Sequence, residues 1–255
     1  MSQNEGDRSP PPPRDDWALF LDVDGTLTAH VARADAVVLE DRVRQVVMRL
    51  QDRLGGALAL VTGRSLAALD ALMRPHVPAH AACLHGVQQR PGASDSRFPP
   101  VASTWVEEAV SLADRYPGAL VEAHGPCLYL HWRAAPAAAD AMTAFARRFE
   151  IDMPSHRLHI GHHGIEIRPD GMDKGMAIAD FMRRAPFAGR VPVFAGDDPA
   201  DEPGFVAVNA LGGISVRVGE ERRASAARFT LRNPQEVLHW LAEEACGADR
   251  QGERK

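Results

Sequence analysis

The sequence predicts an α/β protein: a parallel sheet covered by helices, with a smaller α+β segment inserted into it. Short apolar runs alternate with amphipathic stretches, as strands alternate with helices in such folds. Several runs are apolar at every position, which suits strands buried on both faces. Three of them lead directly into carboxylate or hydroxyl residues, where the carboxyl ends of parallel strands gather a ligand.

The first run, Trp17-Ala18-Leu19-Phe20-Leu21, ends at Asp22-Val23-Asp24-Gly25-Thr26. Residues 39–54 then put Val43, Val46, Val47, Leu50 and Leu54 on one helical stripe. A second run, Ala57-Leu58-Ala59-Leu60-Val61, ends at Thr62-Gly63-Arg64 and completes a βαβ unit; Ser65 is fit to cap a following helix. From residue 101 to 168 the pattern changes to helix, two strands, helix, two strands. Its predicted helices are 105–115 and 136–149, the second with Met142, Phe145, Ala146 and Phe149 on one face. Its predicted strands are 119–124, 127–132, 157–160 and 164–168. Helical spacing returns with Ala177, Ile178, Phe181, Met182 and Ala185, before the run Val191-Pro192-Val193-Phe194-Ala195. A strand over 214–218 precedes a last helix, with Asn233 as its cap, Pro234 in its first turn and Glu236 near its third position. The expected organisation is a Rossmann-like parallel sheet core over 15–98 and 170–245 and an inserted α+β domain over 99–169. Residues 1–14 and 246–255 read as disordered tails.

Composition narrows the class. The 255 residues carry a formal net charge of -5, which argues against nucleic acid or an anionic membrane surface as partner. Cys83, Cys127 and Cys246 are odd in number and widely spaced, so neither a disulfide framework nor a zinc motif is expected. The polar start, with prolines at 10 to 13, lacks the apolar core of a secretion signal, and no run is long enough to span a bilayer. A cytoplasmic protein is the expectation.

The polar residues behind the strands suit attack on phosphorus. Asp22 and Asp24 stand two positions apart: one carboxylate can act as nucleophile, the other can pass a proton to a departing alkoxide and later take one from water. Thr62 offers a hydroxyl, and the backbone from Thr62 to Arg64 offers N–H groups, for a phosphoryl oxygen. Lys174 is one of only two lysines, the other being Lys255, so a compact ammonium at this point is conspicuous among arginines. Gly196-Asp197-Asp198-Pro199-Ala200-Asp201-Glu202 is an acidic cluster fit for a hard divalent cation.

These four segments, in this order, resemble the haloacid dehalogenase-like phosphatases, and the inserted segment resembles the cap domain of one branch of that superfamily. The finer likeness is to the trehalose-6-phosphate phosphatases. Glu122 to Pro136 (EAHGPCLYLHWRAAP) resembles their E-x-K…L-H-Y-R-x-A-P segment, Ile165 to Gly175 their E-I-x-P-x-G-x-x-K-G, and Gly196 to Phe205 their G-D-D-x-T-D-E-x-x-F. His85-Gly86 matches a pair that follows the third core strand in that family. The likeness runs from about Trp17 to Trp240.

The resemblance implies Mg2+-dependent hydrolysis of trehalose 6-phosphate, the last step of trehalose biosynthesis, and functional coupling to a trehalose-6-phosphate synthase. It implies Asp22 as nucleophile, Asp24 as acid and base, and Lys174 as their catalytic partner. The phosphate would be bound by Asp22, Val23, Asp24, Gly25, Thr62, Gly63, Arg64 and Lys174. Asp22, Asp24 through its backbone carbonyl, and Asp197 would hold the metal, with Asp198 and Asp201 in support. Strand alternation turns Glu122 and His124 away from Val121 and Ala123, and Glu166 and Arg168 away from Ile165 and Ile167. If helices cover the apolar face, Glu122, His124 and Glu166 lie on the open one, and with His85 they are the sugar-reading residues the family implies. His124 stands where the family carries a lysine, Ala200 where it has a threonine, and Gln88 where it has a glutamate. The sequence leaves open a related sugar phosphatase, acting on sucrose 6-phosphate, a monosaccharide phosphate or a glucosylglycerate-type phosphate. It also leaves open a catalytically silent sugar-phosphate sensor.

Overall fold

A computed structural model describes residues 9–29, 38–91, 98–221 and 223–242. The chain opens with β1 (Trp17–Leu21), α1 (Asp41–Arg53), β2 (Leu58–Val61), α2 (Leu66–Met73), β3 (Ala81–Cys83) and β4 (Gln88–Arg90). The next stretch holds α3 (Ser103–Ala113), β5 (Leu120–His124), β6 (Cys127–His131), α4 (Ala139–Asp152), β7 (His156–Ile160) and β8 (Gly164–Pro169). It closes with α5 (Lys174–Met182), β9 (Val191–Gly196), α6 (Glu202–Ala210), β10 (Ile214–Val218), β11 (Phe229–Leu231) and α7 (Pro234–Ala242). Two compact units result, Met1–Ala93 with Asp173–Lys255, and Ser94–Met172. The sequence sets its expected junctions at 98/99 and 169/170. Among the described residues no helix is long and apolar enough to cross a membrane.

In the first unit the described strands form one sheet in the order β11-β10-β9-β1-β2-β3-β4, parallel throughout except for β4. β1 lies at its centre because all five of its side chains are apolar and buried. Leu19 registers with Leu58 of β2 on one side and Val193 of β9 on the other. The chain leaves β1 in one direction to build β2 and β3, and returns on the other side with β9. The crevice such a reversal opens at the carboxyl end of the central strand is where ligands bind in open parallel sheets.

Helices cover both faces of this sheet. The predicted stripe of α1 is buried at Val43, Val46, Val47 and Leu50. Phe20 packs against Phe181 of α5 and Phe187, with ring centroids 6.0 and 5.3 Å apart. Ser65 caps α2 by accepting from the Ala68 N–H at 3.3 Å, and Asn233 accepts from the Glu236 N–H at 3.0 Å. Two short strands, β4 and β11, and the helix α6 went unanticipated in the sequence. One tail boundary needs correction. Pro10 and Pro13 are buried, and the Trp240 indole donates to the Pro11 carbonyl at 2.8 Å, so residues 9–14 are anchored on α7. Trp240 in turn packs against Trp17 of β1, with ring centroids 5.9 Å apart. Residues 1–8 and the expected tail over 246–255, with Cys246, lie outside the described residues.

The second unit is an antiparallel sheet in the order β5-β6-β8-β7. Its helix-covered face buries Leu128, Leu130, Ile165 and Ile167 with Ala109, Met142, Phe145 and Phe149. Register aligns Glu122 with Tyr129, Tyr129 with Glu166, and Glu166 with His159, so these polar residues share the opposite face. The alternation in the sequence predicts that division. The helix expected over 105–115 starts two residues earlier, at Ser103, and ends at Ala113.

The central position of Phe20 makes it a test of the core. Phe20→Ala is expected to lower unfolding free energy by about 3–5 kcal/mol, read from urea denaturation at constant m-value.

Candidate active site

The site grows from the ends of β1 and β9. The Asp22 N–H donates to the Ala195 carbonyl at 3.0 Å, extending the β1–β9 ladder one residue beyond the strand and fixing where the carboxyl group emerges. Asp22 is 4 % exposed. The next residues fold into a tight turn, with the Gly25 N–H donating to the Thr28 carbonyl at 2.7 Å and the Leu27 N–H to that of Val23 at 2.9 Å. Thr26 is buried, and its hydroxyl lies 3.4 Å from Asp22 Oδ2.

Lys174 is the first residue of α5, and Asp173 sets that start by accepting the Met176 N–H at 2.8 Å. The Lys174 side chain is 3 % exposed, and Nζ donates to Asp22 Oδ1 at 2.8 Å and to Asp201 Oδ1 at 2.7 Å. The other oxygen of Asp201 accepts the backbone N–H groups of Asp197 (2.8 Å) and Asp198 (3.0 Å). Asp198 in turn accepts the Ala200 N–H, which closes a reciprocal cap over the acidic loop. Asp201 thus ties the loop after β9 to Lys174, and Lys174 ties both to Asp22.

Two glycines permit these approaches. A Cβ at Gly25, whose φ is +86°, would stand 2.2 Å from Asp197 Oδ2, so the Asp197 carboxylate occupies space that any side chain would take. At Gly196 a Cβ would lie 2.3 Å from Asp201 Cγ. Asp22, Asp197 and Asp201 each bring a carboxylate oxygen within 4.8 Å of the others. Asp22 and Asp201 are buried and Asp197 is half-buried, and the one ammonium of Lys174 lies on Asp22 and Asp201. Burial pushes the Asp22 carboxyl well above the usual carboxylate range, against the pull of Lys174 and with the push of Asp201 and Asp197. Burial raises Asp201 likewise, opposed by Lys174. For Lys174 burial works against the charge, but the carboxylates of Asp201 and Asp22 outweigh it and hold the ammonium protonated. A hard divalent cation fits this all-oxygen donor set. Because Asp201 already accepts from Lys174 and two N–H groups, Asp22 and Asp197 are the carboxylates suited to it.

Thr62 follows β2, is buried, and accepts the Arg64 N–H on its hydroxyl at 3.2 Å. Leu84 and His85 both adopt left-handed backbone, with φ of 49° and 54°; their N–H groups donate to the Arg64 and Thr62 carbonyls. This strained turn packs the buried His85 ring over Gly63, where a Cβ would stand 3.0 Å from Nε2. The Arg64 guanidinium, expected at the phosphate, forks onto Asp24, with Nε to Oδ2 and Nη2 to Oδ1 both at 2.6 Å.

On the second unit's polar sheet face, Glu122 lies 3.1 Å from His124 Nε2 through one oxygen and 3.5 Å from His131 Nε2 through the other. Glu166 pairs with the buried Arg168 at 3.4 Å. A cavity of about 350 Å3 is lined there by Tyr129, His131, Arg133, His159 and Glu166 among others.

The first unit therefore gathers Asp22, Gly25, Lys174, Asp197 and Asp201, sets Asp24 against Arg64, and sets Thr62 and Gly63 against His85. Asp198, half-buried, serves the loop's own cap. Glu122, His124 and Glu166 share a sheet face of the second unit. Sequence reasoning missed His131, although period-two alternation along β6 could have found it. It also missed Arg223, which donates to the Asp197 carbonyl at 2.9 Å and to Glu202 at 3.0 Å from a loop without pattern.

The chain is similar to known proteins along most of its length. A family model described as trehalose-phosphatase matches residues 20–235. The chain is 40% identical over 230 residues to the trehalose-6-phosphate phosphatase of Escherichia coli, covering 88% of this chain and 85% of that one. It is 38% identical over 223 residues to a probable trehalose-phosphate phosphatase of Sinorhizobium fredii, covering 84% and 82%. Among solved structures, a trehalose-6-phosphate phosphatase related protein shares the fold, with a TM-score of 0.71 at 23% identity over 91% of this chain and 99% of that one.

The close fit of Gly25 against Asp197 can be tested directly. Gly25→Ala is expected to cost roughly 1–2 kcal/mol of stability through its left-handed backbone, read as a lower Tm. If the site takes a divalent cation, displacement of Asp197 is also expected to weaken that binding about 10–100-fold in calorimetric titration with Mg2+.

Proposed function

The chain belongs to the trehalose-phosphatase family, a family of phosphoric monoester hydrolases, and from that premise we propose how its own residues work. It hydrolyses trehalose 6-phosphate to trehalose and phosphate, with Mg2+ bound, through an aspartyl-phosphate on Asp22. The observation that carries this reading is the Lys174 ammonium held between Asp22 and Asp201, beside Asp197.

A carboxylate oxygen of Asp22 attacks phosphorus as the bond to the sugar oxygen breaks, and Asp24 gives that oxygen its proton. Asp24 then takes a proton from water, whose oxygen attacks the acyl-phosphate, releasing phosphate and restoring Asp22. Lys174 offsets the charge of the nucleophile and of the phosphoryl oxygens while orienting Asp22. The Thr62 hydroxyl and the N–H groups of Gly63, Val23 and Asp24 receive phosphoryl oxygens, as preorganised donors do where charge develops; the N–H of Gly25, which the sequence also offers, is taken by the Thr28 carbonyl. Mg2+, which Asp22, Asp197 and the Asp24 carbonyl would hold, supplies positive charge to the transferring group. Asp198 and Asp201 keep the loop that carries Asp197 in shape.

The sugar is read by Glu122, Glu166, His124 and His85. Carboxylates accept from vicinal hydroxyls, and the imidazoles flanking Glu122 keep both of its oxygens oriented. Functional coupling to a trehalose-6-phosphate synthase follows from the substrate, which such an enzyme supplies.

Asp22→Asn is expected to abolish measurable phosphate release from trehalose 6-phosphate. EDTA should silence the wild type, and added Mg2+ should restore it. A mutant near the wild-type rate contradicts the nucleophile assignment. Glu122→Ala and Glu166→Ala are expected to lower kcat/KM for trehalose 6-phosphate by about 10–100-fold, each removing charged acceptors worth roughly 1.5–3 kcal/mol. Their effect on p-nitrophenyl phosphate should be far smaller, and equal losses on the two substrates would refute sugar reading.

A further inference from the structure

Arg64 departs from the role that its neighbours Thr62 and Gly63 suggest. Its two donors meet the two oxygens of Asp24 in a planar fork, both at 2.6 Å, and its side chain is 10 % exposed. The fork starts from fixed ground. The Arg64 N–H is spent on the Thr62 hydroxyl, and its carbonyl accepts from Leu84 in the left-handed turn. Asp24 is fixed as firmly, because it bridges to Thr28 within the turn that Gly25 closes. With both backbones held, the remaining freedom of Asp24 is rotation about its two side-chain bonds, and the side chain is 30 % exposed. A bidentate guanidinium removes this freedom, which an ammonium, as a point charge, would not. A carboxylate offers about four acceptor sites, so the fork leaves lone pairs on both oxygens for a proton.

We propose that Arg64 is a positioning residue for Asp24, holding the plane of its carboxyl group for proton transfer, rather than a ligand of the phosphoryl group. The proposal rests on the reading of Asp24 as the acid and base. Arg64 then matters in proportion to how much the leaving group needs a proton. A sugar alkoxide needs one, whereas p-nitrophenolate departs without it. The parameter to follow is kcat/KM, which reports the steps through leaving-group departure and is blind to later hydrolysis of the acyl-phosphate.

The test is a double-mutant cycle of Asp24→Asn and Arg64→Met, with trehalose 6-phosphate, p-nitrophenyl phosphate and inorganic phosphate as probes. Arg64→Met is expected to lower kcat/KM for trehalose 6-phosphate about 100-fold, as misplacement of a reacting group by an ångström does, with a much smaller loss on p-nitrophenyl phosphate. In the Asp24→Asn background the same change should cost no more than about twofold, because residues acting through one another do not add. Competitive inhibition by inorganic phosphate should weaken by no more than about twofold, since a phosphoryl ligand is not being removed. Arg64→Lys, which keeps the charge and most of the bulk, should show most of the loss, and this guards against a mere packing defect in Arg64→Met. Additive losses in the cycle, or phosphate inhibition weakened tenfold or more, would overturn the proposal while leaving Asp24 as acid and base. An Asp24→Asn enzyme as active as wild type would overturn the acid–base reading and this one with it.

Discussion

A single ammonium surrounded by carboxylates is the constraint on which the first unit's chemistry depends. Asp22 is 152 residues from Lys174, and Lys174 is 27 residues from Asp201, yet all three meet within hydrogen-bonding distance in a buried place. Removing such ions from water costs roughly several kcal/mol each, and mutual attraction offsets this only where the geometry is good and the remaining lone pairs are used. The fold meets both conditions. A helix cap aims Lys174, the parallel ladder aims Asp22, and two backbone N–H groups occupy the far oxygen of Asp201. The all-oxygen donor set that results is of the kind that suits a hard divalent cation.

Much of this was legible in the sequence because burial on two faces leaves an unambiguous trace. Trp17 to Leu21 could hardly be anything but a central strand, and the polar residues behind it mark the strand's carboxyl end. The α1 stripe and the caps at Ser65 and Asn233 were legible for the same reason: each is a local rule with a local signature. The strands β4 and β11 carry no such trace. Gln88 to Arg90 is polar and half-buried, and it becomes a strand only because β3 offers it an edge. Pro10 and Pro13 read as part of a solvated tail, yet both are buried, and between them the Pro11 carbonyl accepts the Trp240 indole N–H.

Within the site, residue types were legible and pairings were not. Arg64 stood beside Thr62 and Gly63, and proximity in sequence suggested a shared ligand; the structure turns its guanidinium to Asp24, 40 residues earlier. Arg223 lies in a stretch without periodicity or motif, and its hold on the Asp197 carbonyl exists only once the two loops are adjacent. On the second unit, alternation separated polar from apolar residues correctly. The clasp of Glu122 by His124 and His131 additionally needed the register between β5 and β6, which no single strand encodes.

The scarcity of lysine has a practical side. Among the described residues the surface cations with no imidazole are guanidinium groups, which do not react with acylating reagents, and the one lysine amine, that of Lys174 at the start of α5, is 3 % exposed. Acetyl donors, active esters and other amine-directed electrophiles therefore meet no target among the described residues that water also reaches.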